Sequence, residues 1–227
     1  CARLREPGTE HKATIASESN AAVAGGITTM CMPPDTKPVI DTPSVLELIR
    51  NRTDAAAKAK IVAHGAITKK LNGEDISEMA ALKQAGCVGV SDGRHPIPSS
   101  LVLRRVMMYA ATFDLTLFLT PEDPWLRENG CAHEGEVSAR LGLPEIPEST
   151  ETAAIARDIA LIETRNIRAH FGRLSTGRGA ELIQQAQKNR LKVSADVSAH
   201  QLFLTEQNVI GFNSNYYVTP PLRSVQD

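Results

Sequence analysis

Short apolar runs alternate along this chain with longer stretches whose apolar residues recur at helical spacing. The runs are rich in β-branched and apolar residues, which is typical of buried strands, and they lie at 27–32, 60–66, 86–90, 115–119, 166–171 and 191–197. The stretches between them predict helices at 14–24, from 42, and at 75–84, 99–111, 149–164 and 177–188. Most strand starts are about 25 to 35 residues apart, the length of one strand–helix unit, so the pattern predicts a parallel sheet.

Two architectures fit this rhythm, an open doubly wound sheet and a closed (β/α)8 barrel. No GxGxxG or GxxxxGK[ST] motif follows any run, and polar loops follow the strand ends one after another, where barrel enzymes build their sites. We therefore predict an α/β barrel. Counting residues 1–4 as the tail of a first strand gives seven strands, with the eighth expected beyond Asp227. Residues 1–227 are predicted to form a single barrel domain, part of a longer protein, with an irregular insertion at 120–147.

Composition and charge narrow the function classes. The 227 residues are 42% hydrophobic, 22% charged and only 4% aromatic, as in globular α/β domains. A net charge of −1 offers no overall field for nucleic acid or for an anionic membrane. The four cysteines form no CxxC pair, and no apolar run approaches the roughly 18 residues of a membrane span. We expect a cytoplasmic protein with neither nucleic acid nor membrane as partner.

Polar side chains that follow the predicted strands are the candidates for chemistry. In a barrel they meet at one mouth, where a hydrolytic enzyme would hold a divalent metal with histidines and carboxylates. The candidates are Arg3, Arg5, Asp35, His64, Asp92, Thr120, either His170 or Arg173, Asp196 and His200. Arg3 and Arg5 precede Pro7 and Gly8, and their planar guanidinium groups suit a carboxylate or phosphate, although a solvated strand end is the alternative.

Several motifs in the same order resemble those of dihydroorotase, a member of the amidohydrolase superfamily. They include LREPG at 4–8, AGGITTMCMP at 24–33, TKPVIDTP at 36–43, AHEG at 132–135, LST at 174–176, SADV at 194–197 and TPPLR at 219–223. The resemblance covers essentially the whole chain. It implies a (β/α)8 barrel beside a small β-sandwich built from the termini, with a zinc centre that interconverts N-carbamoyl-aspartate and dihydroorotate. The sandwich and the eighth strand, with its aspartate general base, are expected outside this sequence.

The same resemblance implies zinc ligands at positions that carry other residues here. The family opening reads HxHLRxPG, whereas this chain has Cys1 and Arg3; Thr120 and Arg173 stand at two further histidine positions. An arginine cannot bind zinc, because it has no lone pair to donate and its charge repels the cation. Arg5, which in the family pairs with the substrate carboxylate, is retained.

Other aligned positions complete the candidate site. Asp35 and Thr219 stand where the resemblance implies asparagines, and Asp92 is the single candidate for a metal ligand, although ion pairing with arginines is the simpler role. We therefore predict anion binding by Arg3, Arg5 and Arg173, with no catalytic residue and no bound metal. The other histidines, His64, His133, His170 and His200, are interpreted as hydrogen-bonded structural residues, and Lys69 and Lys70 as solvated.

Three functions follow from these observations. The favoured one is a non-catalytic dihydroorotase-like subunit of pyrimidine biosynthesis, without a cofactor, that assembles with the catalytic subunit of aspartate carbamoyltransferase in a larger oligomer, as the resemblance implies. The alternative is an active dihydroorotase or cyclic amidohydrolase with an altered site, which would need zinc. The third is a binding module in which Arg3, Arg5 and Arg173 hold a dicarboxylate or a nucleotide.

Overall fold

A computed structural model describes residues 2–165 and 167–227, so the predictions for Cys1 and for a strand start at Asn166 lie outside the described residues. The chain divides into two compact units, with the boundary after Phe118. Both are built from parallel strands connected by helices, as the rhythm of apolar runs predicts. No helix in these described ranges is long and apolar enough to cross a membrane.

Strands and helices alternate through the first unit. They are α1 (Ile15–Ala24), β1 (Thr29–Met32), α2 (Pro43–Ala56), β2 (Lys60–Ala66), α3 (Met79–Gln84), β3 (Gly89–Ser91), α4 (Ser100–Thr112) and β4 (Thr116–Leu119). The strands pair in parallel and in chain order, with Thr29 opposite Lys60, His64 opposite Gly89, and Val90 opposite Leu117. The core between strands and helices contains Leu4, Ile15, Met32, Ile40, Leu46, Ile49, Ala63, Leu82 and Cys87.

The second unit contains the segment that the sequence predicts to be an irregular insertion. Its elements are α5 (Pro124–Arg127), β5 (Ala132–His133), α6 (Glu136–Leu141), β6 (Glu145–Ile146), α7 (Ser149–Ile162), β7 (Arg168–Leu174), α8 (Gly177–Lys188) and β8 (Lys192–Val197). Short parallel strands β5 and β6 pair inside that segment, so part of it is regular structure. β7 and β8 also pair in parallel, with an irregularity between Phe171 and Leu174.

Side chains at the helix starts explain why several boundaries agree with the sequence pattern. The hydroxyls of Thr14, Ser99 and Thr176 each accept a hydrogen bond from a backbone N–H in the first turn of α1, α4 and α8. Thr42 holds the cap position of α2 without such a bond, and its hydroxyl lies 3.1 Å from that of Ser44.

Helix α3 begins later than the apolar pattern predicts, at Met79 rather than at residue 75. The residues before it pair with the loop after β2. Thr68 and Ile76 form an antiparallel bridge, and the Ser77 N–H donates to the Ile67 carbonyl at 3.0 Å. Because these backbone groups are already bonded, they are not available for a helical turn.

Candidate functional site

The opening of the chain runs beside β1. The Ala2 N–H donates to the Cys31 carbonyl at 2.7 Å, although residues 2–5 are not assigned to a strand. Leu4 is buried and anchors this segment in the core. Arg3, one residue earlier, places its Nε atom 2.6 Å from Oδ2 of Asp35, and the two side chains are 26% and 20% exposed. Most of this ion pair is therefore shielded from solvent, and the geometry is that of a charge-assisted hydrogen bond.

The loop after Arg3 is held by its own hydrogen bonds. Arg5 has a left-handed backbone with φ of 65°, and its carbonyl accepts bonds from the Thr9 N–H and hydroxyl at 2.8 and 2.7 Å. The Glu6 carboxylate accepts from the Ile15 N–H at 2.9 Å at the start of α1. Gly8 has φ of +106°, and a Cβ atom there would overlap Lys37. The LREPG sequence therefore forms a tightly tied turn that presents the exposed Arg5 side chain.

This turn and the loop after β1 enclose a cavity of about 200 Å³. Its polar lining consists of Arg3, Arg5, Thr9, Asp35, Thr36 and Lys37, beside apolar side chains such as Leu4 and Met32. The structure thus brings together two of the three predicted anion-binding arginines. Lys37 was not among the predicted site residues, although the TKP sequence that contains it is part of the family resemblance. Only the position of Lys37 beside Gly8 in three dimensions indicates its place in the cavity.

His64 and Asp92, the other first-unit candidates, are buried in the structure. The His64 ring stacks on Phe118 with ring centres 3.9 Å apart, and its Nε2 atom lies 3.2 Å from the Cys31 sulfur. Burial raises the pKa of the Cys31 thiol to about 11, so this thiol is protonated at neutral pH and is a poor nucleophile. The Asp92 carboxylate accepts a hydrogen bond from the Arg94 N–H at 3.0 Å.

In the second unit, His170 connects the two long strands. Its Nδ1 atom lies 2.9 Å from the Ser194 hydroxyl, and its Nε2 atom lies 2.9 Å from Oδ2 of Asp196. The other Asp196 oxygen accepts from the Arg173 N–H at 2.6 Å. The hydrogen bond from His170, supported by the Arg173 N–H, lowers the pKa of Asp196 below its ordinary value. These bonds hold the backbone of Arg173, whose φ is 63°.

The Arg173 side chain turns toward a second position that the family resemblance singles out. Its Nη1 atom donates to the carbonyl of Thr219 at 2.8 Å, so two positions that are 46 residues apart in sequence are adjacent. Thr120 lies at the boundary of the two units, followed by Asp123, which caps α5 through the Trp125 and Leu126 N–H groups. His200 lies in a 3₁₀ turn, and its buried Nε2 atom has no hydrogen-bond partner among the described residues.

A buried polar network connects three of the family motifs. Arg223, only 4% exposed, donates to Nδ1 of His133 at 3.0 Å, to the Ile146 carbonyl at 2.9 Å and to the Ser175 hydroxyl at 3.1 Å. Burial and the Arg223 charge lower the pKa of His133, which therefore accepts this bond as a neutral ring. Burial also lowers the pKa of Arg223.

Glu151 of α7 completes this network, and the sequence analysis does not identify it. Its buried carboxylate accepts four hydrogen bonds of 2.6–3.0 Å from the N–H and hydroxyl groups of Ser175 and Thr176. The AHEG, LST and TPPLR sequences thus meet around one carboxylate and one guanidinium group. In this chain they stabilise the second unit, because the buried Glu151 carboxylate and the buried Arg223 guanidinium group both have hydrogen-bond partners.

The donor set implied for zinc does not match the side chains that the structure describes. Of the positions that the resemblance implies as histidine ligands, Arg3 is paired with Asp35 and Arg173 bonds Thr219, while Thr120 has only a hydroxyl. Within residues 2–165 and 167–227, no three histidine, cysteine or carboxylate side chains are grouped so that they could hold a metal ion. These residues do not fit a zinc centre, so we derive no step through one.

The fold is shared with solved hydantoinase structures. L-Hydantoinase (dihydropyrimidinase) from Arthrobacter aurescens superposes with a TM-score of 0.75 at 22% identity over 93% of this chain and 48% of its own. A D-hydantoinase superposes with a TM-score of 0.77 at 18% identity over 99% of this chain and 51% of its own. The predicted barrel-type α/β fold is thereby confirmed.

Sequence comparison defines the family. The family model described as "Dihydro-orotase-like" matches residues 1–177. The "Dihydroorotase-like protein" of Pseudomonas putida is 50% identical over 99% of this chain, and the "Dihydroorotase" of Anaeromyxobacter sp. (strain K) is 42% identical over 99%. The chain belongs to the dihydroorotase-like family. It spans about half the length of these curated relatives, 53% and 52%.

Proposed function

We propose that this chain is part of a dihydroorotase-like protein that has lost its zinc ligands and acts as a non-catalytic structural subunit in pyrimidine biosynthesis. Its partner would be the catalytic subunit of aspartate carbamoyltransferase, in a cytoplasmic oligomer. Arg3, Arg5 and Arg173 would bind anions, and Asp92 would not bind a metal. The partner is the one that the family resemblance implies.

The observation that carries this proposal is the ion pair between Arg3 and Asp35, 2.6 Å apart. Arg3 stands where the family resemblance implies a zinc-binding histidine, and Asp35 where it implies a substrate-orienting asparagine. A cation and its counter-ion would thus replace a metal ligand and a substrate contact. Without a metal, a hydrolytic site loses both the hydroxide formed near pH 7 and the Lewis acid that polarises the amide carbonyl.

No described group in the first unit replaces this chemistry. Cys31 and His64 are in contact, but burial holds the thiol in its protonated form, with its pKa raised to about 11. A stable barrel without catalytic chemistry can still act as a structural subunit of a complex. A permanent complex of this kind would bury an interface of roughly 1,200 Å² or more.

A second candidate is an active dihydroorotase or cyclic amidohydrolase with an altered metal site. It is favoured by the name "Dihydroorotase" of relatives 42% identical to this chain, including the Anaeromyxobacter protein. Such an enzyme would draw its ligands from residues other than Arg3, Thr120 and Arg173.

Metal content and turnover of the full-length protein, purified apart from any partner, separate the two candidates. The structural role predicts zinc well below one ion per chain and no hydrolysis of dihydroorotate above the rate of a buffer blank. Stoichiometric zinc or turnover abolished by a chelator would establish the enzyme instead.

Mixing with a purified aspartate carbamoyltransferase catalytic subunit tests the partner. We expect one larger species in sedimentation velocity containing both chains in a fixed ratio. Two independent boundaries at micromolar concentrations would reject the proposed partner.

A further inference from the structure

The His133 ring contacts a buried cation at one nitrogen and lies near a buried carboxylate oxygen at the other. Nη1 of Arg223 donates to its Nδ1 atom at 3.0 Å. Oε2 of Glu206 is buried and has no hydrogen-bond partner among residues 2–165 and 167–227. This oxygen and Nε2 of His133 both lie beside Gly135, 3.4 and 3.9 Å from where a Cβ atom would stand. The ring therefore has one engaged neighbour of positive charge and one unengaged neighbour of negative charge.

The segments that carry these two neighbours are tied to each other. The Glu206 N–H donates to the carbonyl of Arg223 at 2.8 Å. The guanidinium group of Arg223 also donates to the Ile146 carbonyl and to the Ser175 hydroxyl, at 2.9 and 3.1 Å. Loss of the bond to His133 would leave these contacts in place, so the ring can change its partner while the second unit stays folded.

The protonation state of the ring decides which contact it can make. A neutral ring that accepts at Nδ1 carries its proton on Nε2, and Arg223 is then a suitable donor. A protonated ring donates from both nitrogens, so its Nδ1–H would face an N–H of Arg223 and two positive charges would be in contact. A carboxylate near Nε2, that of Glu206, offsets the charge of the protonated ring instead.

We propose that His133 is a proton-operated switch of the second unit, in which the neutral ring accepts from Arg223 and the protonated ring leaves Arg223 and pairs with Glu206. The contact that opens joins the AHEG sequence to the TPPLR sequence, so protonation loosens the 120–147 segment from the residues that follow β8. The switch goes beyond the structural role proposed above and does not depend on it.

The charged groups around the ring set the pH at which the switch operates. Burial and the Arg223 charge lower the pKa of His133 below its ordinary value of 6.5, and the carboxylates of Glu206, Asp227 and Glu148 oppose this shift. The bond from Arg223 is therefore present above the ordinary pKa and is lost as the pH falls through the lower folded value. Other charged residues on or next to β5, α6 and β6 are exposed, namely Glu134, Glu136, Arg140 and Glu145.

Histidine titration by NMR, in the full-length protein isotope-labelled at histidine, tests the switch. His133→Asn identifies the ring resonance, and its amide oxygen keeps an acceptor for Arg223. We expect the wild-type ring to titrate below 6.5, with its proton on Nε2 in the neutral form. Glu206→Gln should weaken proton binding by His133 about tenfold, because it removes the carboxylate that offsets the ring charge. The matched control, Glu134→Gln, removes the same charge from an exposed neighbour and should change proton binding less than about twofold.

Crystal structures of the full-length wild type above and below the titration midpoint show the exchange directly. Below it, Nε2 of His133 should lie within hydrogen-bond distance of a Glu206 oxygen, with Arg223 retained by the Ile146 carbonyl. A ring that stays against Arg223 below its midpoint would overturn the proposal, as would equal shifts in Glu206→Gln and Glu134→Gln or a wild-type midpoint at or above 6.5. If a variant does not fold, as judged by thermal unfolding, the two wild-type crystal structures decide.

Discussion

Glu151 is the residue whose loss should weaken the second unit most clearly. Its carboxylate is 3% exposed and accepts four hydrogen bonds of 2.6–3.0 Å, two from backbone N–H groups and two from hydroxyls. In Glu151→Gln only one side-chain oxygen remains as acceptor, and an NH2 group faces the other donors. At least one buried N–H of Ser175 or Thr176 then loses its partner.

The magnitude follows from these contacts. A buried donor without an acceptor costs about 1–3 kcal/mol, and the bonds that remain lose their charge assistance, so we expect Glu151→Gln to lower the free energy of unfolding by about 2–4 kcal/mol. For a domain of this size that corresponds to a fall in Tm of roughly 5–12 °C.

Chemical and thermal unfolding of full-length variants, followed by circular dichroism, measure this effect. Glu163→Gln is the matched control, because Glu163 is exposed at the end of the same helix and carries the same charge. It should change stability by less than about 0.5 kcal/mol. If Glu151→Gln and Glu163→Gln unfold alike, the carboxylate does not hold Ser175 and Thr176, and the account of the network is wrong.

Two further predictions concern Asp196 and Gly8. Because the hydrogen bond from His170 lowers the pKa of folded Asp196, the stability that this carboxylate contributes is present above its ordinary pKa of 3.8 and is lost as the pH falls through the lower folded value. The free energies of unfolding of wild type and Asp196→Asn, measured from pH 7 to pH 3, should therefore converge at the acid end. A difference that stays constant with pH would contradict this. Gly8→Ala should cost about 1–3 kcal/mol, because alanine is strained at a φ of +106° and its methyl group overlaps Lys37, and denaturant unfolding at or near wild-type stability would refute it.

Several helix starts could be predicted from the local sequence alone. The predicted helix starts at 14, 99 and 177 lie within one residue of the starts of α1, α4 and α8, because a capping hydroxyl bonds N–H groups within its own first turn. The start of α3 was wrong, since residues 75–77 pair with the loop after β2, an interaction that helical periodicity does not include.

In the candidate site too, the sequence indicated individual residues but not the contacts between distant ones. Arg3 and Arg5 were selected from a single octapeptide, and the structure places both at one cavity. Asp35 was also a candidate, but its pairing with Arg3 across 32 residues was not predicted, and Lys37 was missed. Glu151 gave no signal in the sequence, because one glutamate on a helix is ordinarily solvated, and only burial against Ser175 and Thr176 distinguishes it.

The sequence by itself determined the order of strand–helix units, the residue types at the strand ends and the membership of the dihydroorotase-like family. These depend on periodicity, on caps within one turn and on motifs that are read in order. Only the tertiary structure decided which polar groups meet: Arg3 pairs with Asp35, and Arg223 donates to the neutral ring of His133, 90 residues away in sequence. Charge-assisted bonds need atoms within about 3 Å, and the approach of distant loops depends on the packing of the whole unit.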